Sequence, residues 1–141
     1  MTLRLSKSKF VAGSPCHRLL WWKVHEPDAV ELQPNKVLQD RFDQGTQVTE
    51  LARTRFPGGM LIDLPHDAYE ERLKLTQKLL TGGAPFIYEA SFVADNTYVA
   101  VDVLAREDDL FRLIEVKSSS SQEDEHILDA AVQVHVVKHS A

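Results

Sequence analysis

Three runs between positions 86 and 117 carry the clearest strand pattern in the chain. Residues 86–93, 98–104 and 110–117 are rich in β-branched and aromatic side chains, and short polar turns at Asp95-Asn96 and Asp108-Asp109 separate them. Connections this short predict an antiparallel meander. The third run is apolar at alternate positions on both sides, with Phe111 and Leu113 opposing Ile114 and Val116. That is the pattern of a central strand covered on both faces.

Helical spacing flanks these strands. Ser6 is placed to cap a short helix from Lys7 towards Ala12, and Ser14-Pro15 predicts the start of a second one, running through Cys16 to about His25. Trp21 and Trp22 are adjacent, so on a helix they point about 100° apart and at most one is central to a packed face. Pro27 and Pro34 bracket a loop. From about Asn35 to Phe56, the residues Val37, Leu38, Phe42, Gly45, Val48, Leu51, Ala52 and Phe56 form an amphipathic stripe, which Pro57-Gly58-Gly59 ends. Residues 60–64 read as a short edge strand. A further helix spans His66 to Leu80, stopped by Thr81-Gly82-Gly83. After a polar link at 118–121, Glu123 to His139 reads as a helix with Ile127, Leu128, Ala131, Val134 and Val136 or Val137 on one side. The valines there also fit a strand. The elements together predict a single mixed α/β domain, a central and mainly antiparallel sheet with flanking helices.

Each of the three strands carries one carboxylate within its apolar run: Glu89, Asp102 and Glu115. Burying an unpaired charge is costly, so such acids are expected to be paired or to hold a metal. Lys117 follows Glu115 at the spacing that returns to the same strand face. Neighbouring strands lie about 4.8 Å apart, so matching registers would bring the acids together. Converging carboxylates make a hard oxygen site suited to Mg²⁺ or Mn²⁺, and their crowding is expected to raise at least one carboxyl pKa in the absence of a cation. Glu115 and Lys117 simply pairing with each other or with neighbours is the alternative reading.

Composition narrows the classes. At 141 residues, 43% hydrophobic and 26% charged, the chain has the make-up of one globular domain. A net charge of −5 argues against whole-surface binding to nucleic acid. It leaves room for a local basic surface, and Arg4, Lys7, Lys9, Arg18 and Lys23 all precede the first acid, Glu26. Of these, Lys7, Lys9 and Arg18 are the candidate nucleic-acid contacts. The longest apolar run near the N-terminus, Leu19-Leu20-Trp21-Trp22, is too short for a membrane span, and the single Cys16 fits a reducing compartment. A cytoplasmic protein with no membrane partner is the expectation.

Asp102 followed by Leu-Ile-Glu115-Val-Lys117 resembles the PD-(D/E)XK nuclease signature. Tyr88-Glu89-Ala-Ser-Phe before it and Gln133 after it resemble the RecB-like branch, which includes the CRISPR-adaptation exonucleases. Ser6-Lys7-Ser8-Lys9-Phe10, Cys16, Phe42-Asp43-Gln44-Gly45 and Phe56-Pro57-Gly58-Gly59 are similar to an uncharacterised bacterial RecB-like family over nearly the whole chain. The resemblance implies a restriction-endonuclease-like core and metal-dependent hydrolysis of DNA. It implies Asp102 and Glu115 as ligands of Mg²⁺ or Mn²⁺, with the Val116 carbonyl beside them. It further implies Lys117 as the catalytic lysine, Glu89 as an accessory acid and Gln133 as the motif glutamine. The chain departs from the pattern at Val137, where a tyrosine stands in relatives, and at Thr49, where a histidine stands. Cys16 occupies the place of one iron–sulfur ligand, but no further cysteine exists to complete a cluster. Relatives continue beyond the glutamine helix with another strand and further domains. The resemblance therefore implies either a truncated or a minimal domain, with a sheet edge open to a further domain or partner. The alternative function is a non-catalytic nucleic-acid-binding or assembly module on a decayed site.

Overall fold

The computed structural model describes residues 5–140; Arg4, named above among the basic residues, lies outside them. The protein is a mixed α/β structure built on a curled five-stranded sheet. In chain order it runs β1 (Leu5–Ser6), α1 (Lys7–Gly13), α2 (His17–His25), a 3-10 turn (Val30–Leu32), α3 (Lys36–Arg53), β2 (Met60–Leu61), α4 (Tyr69–Thr81), β3 (Phe86–Ala94), β4 (Thr97–Glu107), β5 (Leu110–Ile114) and α5 (Asp124–His139). Among the described residues no helix is long and apolar enough to cross a membrane.

The predicted meander forms. β3 pairs antiparallel with β4, and β4 with β5. The first hairpin turns on Asp95 (φ 47°) and Asn96 (φ 57°), two residue types that tolerate the left-handed region and match the twist of the flanking strands. Two short strands join in parallel at the margins, β2 on β3 and β1 on β4. β1 is not visible in the hydrophobic pattern, because two residues show no alternation.

The centre of the sheet is β4, not the third strand as its pattern suggests. Among the described residues β5 pairs with β4 alone, and Leu110 and Phe111 are 74% and 44% exposed. Phe111 instead lies under the Arg106 guanidinium, 4.8 Å from its ring centre. The core gathers Ile87, Ala90 and Phe92 of β3, Val99, Val101 and Leu104 of β4, Ile62 after β2 and Val136 of α5.

The helices keep most of their predicted bounds. Ser6 caps α1 by accepting from the Lys9 N–H, and Asn35 caps α3 by accepting from the Leu38 N–H. α2 starts later than Ser14-Pro15 predicts: Cys16 is its N-cap, while Ser14 closes α1. Trp21 is exposed and Trp22 half-buried, so the tryptophans do divide between two faces. The stripe on α3 is covered only in part. Val37, Leu38, Phe42 and Leu51 are exposed, while Gly45, Val48, Ala52 and Phe56 are half-buried. The helix is anchored at its C-terminal end, where the Tyr88 hydroxyl donates to the Phe56 carbonyl and accepts from the Gly59 N–H. α5 is helical, but its buried positions are Asp129, Val132, Gln133 and Val136, not the row through Ile127 and Val134. Polar anchors, described below, set its rotation.

Two glycines test this frame with opposite signs. A Cβ on Gly59 would overlap the Tyr88 ring, whereas one on Gly45, inside α3, meets nothing within 4 Å. Gly59→Ala is therefore expected to destabilise by about 1–3 kcal/mol. Gly45→Ala should stabilise by roughly 0.5–1 kcal/mol through helix propensity. Urea unfolding of the two variants beside the parent protein measures both.

Candidate active site

The sheet register brings the three strand acids into one row. The pairs Tyr88↔Val103 and Ala90↔Val101 leave Glu89 facing Asp102 between them. The pair Val103↔Ile114 puts Glu115 next to Asp102 on the other side, one residue past the end of β5.

Each acid is aimed by a local break in the ladder. Glu89 has φ 61° inside a strand, a conformation that is strained for a side chain of its size. Its carboxylate faces two guanidiniums, Arg53 of α3 and Arg72 of α4, each at 3.6 Å. Arg72 is 2% exposed and is itself held by the Leu64 carbonyl (2.7 Å), the Tyr98 hydroxyl (3.0 Å) and Ser91 Oγ (3.3 Å). At Asp102 the break is in the partner strand. Beyond Ile114 the Val116 N–H donates to Asp102 Oδ2 at 2.8 Å, so a carboxylate replaces a strand carbonyl as acceptor. That bond frees Glu115 and Lys117 from the ladder.

Glu115 then becomes the meeting point of three segments. Its Oε1 contacts Lys117 Nζ at 2.9 Å and Lys7 Nζ at 3.0 Å, and its Oε2 accepts from Gln133 Nε2 at 2.7 Å. A residue not anticipated from the sequence completes the cluster. Asp129 pairs with Lys117, lies 3.2 Å from Lys7 Nζ, and accepts from Gln133 Nε2 at 2.9 Å. The available signal was its spacing, one helical turn before Gln133. Glu115 and Lys117 do pair, with each other and with Lys7 and Asp129, as the plainer reading expects.

The structure thus brings together Glu89, Asp102, Glu115, Val116, Lys117 and Gln133, the residues singled out on the strands and last helix. Of the basic residues at the N-terminus it adds Lys7. Arg18 is exposed on α2 and Lys9 half-buried on α1. Thr49 lines a cavity of about 330 Å³ together with Arg53, His66, Arg72 and Glu89, so the position departing from the RecB-like pattern opens onto Glu89.

Charge is unevenly relieved here. Burial, then the Glu115 charge, pushes the Asp102 carboxyl up to about 6 from 3.8; the Val116 hydrogen bond and Lys7 offset only part of this, and Glu89 adds to the rise. Burial would also raise Asp129, but the Lys117 hydrogen bond and the charges of Lys7 and Lys117 hold it below the usual range. Burial would lower Lys117, yet its bonds to Asp129 and Glu115 keep it above its ordinary value. The expected raised carboxyl is therefore Asp102, the acid without a cation of its own.

Among the described residues no three His, Cys, Asp or Glu side chains stand together as metal ligands. Lysine ammoniums lie against the Glu115 and Asp129 oxygens instead. The donor chemistry nonetheless suits a hard divalent cation: Asp102 and Glu115 are neighbouring oxygen donors whose mutual repulsion Lys7 offsets only in part. Gln133, fully buried, also presents an Oε1 with no partner among the described residues. Comparison with known proteins adds no relative: no family model, no curated protein and no solved structure matches the chain.

The crowding of strand acids read from the sequence predicts that Asp102→Asn and Glu115→Gln both leave the metal-free protein as stable or more so. The geometry separates them. The proton on Asp102 stabilises the fold fully below about pH 3.8, and that contribution is lost as pH rises through about 6. Asn keeps an acceptor for Val116 and carries no charge. Asp102→Asn should therefore gain on the parent protein by an amount that grows from under about 1 kcal/mol at pH 4 to about 2–3 kcal/mol at pH 7. Glu115→Gln leaves Lys7 and Lys117 short of a partner and should destabilise by about 2–4 kcal/mol, below the loss for a fully buried pair because both lysines keep contact with water. Thermal melts of the three proteins across that pH range check both signs.

Proposed function

We propose that this chain is a metal-dependent nuclease of the RecB-like type that hydrolyses DNA phosphodiester bonds. The observation that carries the reading is the single row of Glu89, Asp102 and Glu115 across adjacent strands, with Lys117 bonded to Glu115 and Gln133 reaching in from α5. Acids for a hard cation and an ammonium for an anionic substrate meet at one place.

In this reading Asp102 and Glu115 would hold Mg²⁺ or Mn²⁺, and the Val116 carbonyl would be a further donor. The bound ion supplies Lewis-acid polarisation of the phosphate and a water of lowered pKa. Lys117 offsets the negative charge that builds on the phosphoryl oxygens as the bond to the leaving oxygen breaks. Gln133 fixes the Glu115 carboxylate, and Asp129 keeps Lys117 protonated and directed at the centre. Glu89, braced by Arg53 and Arg72, keeps a second negative edge beside Asp102. Lys7, Lys9 and Arg18 stand as the backbone contacts for DNA, and the cytoplasm as the compartment.

A specific observation favours the second reading, a non-catalytic nucleic-acid-binding or assembly module. The ammoniums of Lys7 and Lys117 already lie against Glu115 and Asp129, as in a purely structural network. Cleavage separates the two. Linear and covalently closed DNA, single- and double-stranded, are incubated with the protein and Mg²⁺ or Mn²⁺. The nuclease reading expects metal-dependent products, and a fall of about 10²–10³-fold or more in Lys117→Met. Retained DNA binding with no cleavage under any metal would establish the module.

A further inference from the structure

Three of the four acids of the cluster are paired with the chain's own cations, Glu89 with Arg53 and Arg72, and Glu115 and Asp129 with Lys7 and Lys117. Asp102 has no ion pair among the described residues, and the Lys7 charge offsets only part of its burial and repulsion. The four cations are not held alike. Arg72 is buried among carbonyls and hydroxyls. Arg53 sits in the last turn of α3, and Lys117 is two residues from Glu115. Lys7 arrives from 108 residues away in sequence, as the first residue of a seven-residue helix.

Its position is nevertheless fixed. Pairing of β1 with Thr97 and Tyr98 of β4 sets the chain just before it, and Ser6 caps the helix it starts. From there its ammonium bridges Glu115 Oε1 (3.0 Å) and Asp129 Oδ1 (3.2 Å), and its charge acts on Asp102 as well. An ammonium at those oxygens and a divalent cation at Asp102 and Glu115 repel each other and compete for one carboxylate oxygen.

We infer that Lys7 is a built-in counter-ion, which holds the carboxylate cluster together when no divalent cation is bound and is displaced from Glu115 when one binds. The inference rests on the metal-dependent reading above and deepens it, assigning α1 as the element that answers metal binding. It also gives Lys7 a role apart from general attraction to DNA, since the side chain is turned to the acids and 21% exposed.

Two measurements test it, neither of them an activity. Calorimetric titration with Mn²⁺ compares the parent protein with Lys7→Met, which keeps the length and drops the charge. Lys7→Met should bind roughly three- to tenfold more tightly, the range of a partly exposed ion pair, while its metal-free melting temperature falls. The second works on the unaltered protein and does not depend on the variant folding. Competitive amine labelling read by mass spectrometry should show Lys7 reacting several-fold faster with saturating Mg²⁺ than without it. Tighter binding or faster labelling supports the inference. Mn²⁺ binding that is unchanged or weaker in Lys7→Met, with Lys7 reactivity unmoved by Mg²⁺, overturns it and leaves the nuclease reading standing. A parent protein that neither binds Mn²⁺ nor cleaves DNA overturns both.

Discussion

The Glu115 carboxylate is the point on which the ends of this chain converge. It takes Lys7 from α1, Lys117 from the segment leaving β5, and Gln133 from α5. Hydrophobic burial explains why the sheet and Val136 pack together. It does not explain which way α5 turns, because Ile127 is left 54% exposed while Asp129 and Gln133 are buried. A buried charge without partners is far costlier than an exposed isoleucine. The helix therefore takes the rotation that satisfies Glu115 and Lys117, and the aliphatic face gives way.

Two kinds of cation contact meet in the cluster. The arginines brace Glu89 with planar guanidiniums, that of Arg72 held in turn by carbonyl and hydroxyl groups and that of Arg53 lying over the Tyr88 ring. The lysines on Glu115 and Asp129 are point charges on flexible stems, which exchange partners at lower cost. One half of the centre is thus built as rigid scaffold, and the other half is able to respond. Asp102 lies between them, its proton affinity raised by burial first and by the Glu115 charge second.

Most of the fold was legible in the sequence where the signal is local. The meander follows from strand-length apolar runs and left-handed turn residues at Asp95-Asn96. The caps Ser6 and Asn35 mark their helices correctly. The three strand acids were legible because charge inside an apolar run is conspicuous. What was missed depends on long-range partners. Asp129 looks like an ordinary surface acid of a helix until Lys7 and Lys117 are placed against it. β5 reads as central because its composition is apolar, yet among the described residues only β4 pairs with it. The stripe on α3 predicts a packed helix, but its first half meets no cover among the described residues. A sequence shows that a face is apolar, not what lies against it.

The sharing of one β4 edge by two strands has an architectural consequence. β1 occupies that edge at Thr97 and Tyr98, and β5 occupies it from Val103 onward. Between their ends the sheet has a notch, and Asp102 stands at its lip. The notch is a matter of strand length rather than of loop design. Two more residues of pairing in β5 would zip Glu115 into the ladder opposite Asp102 and close it, as would a longer β1 from the other side. A chain assembled this way keeps its polar centre open by stopping two strands early. Insertions or deletions that shift where either strand ends should therefore be tolerated less well than substitutions within the strands themselves.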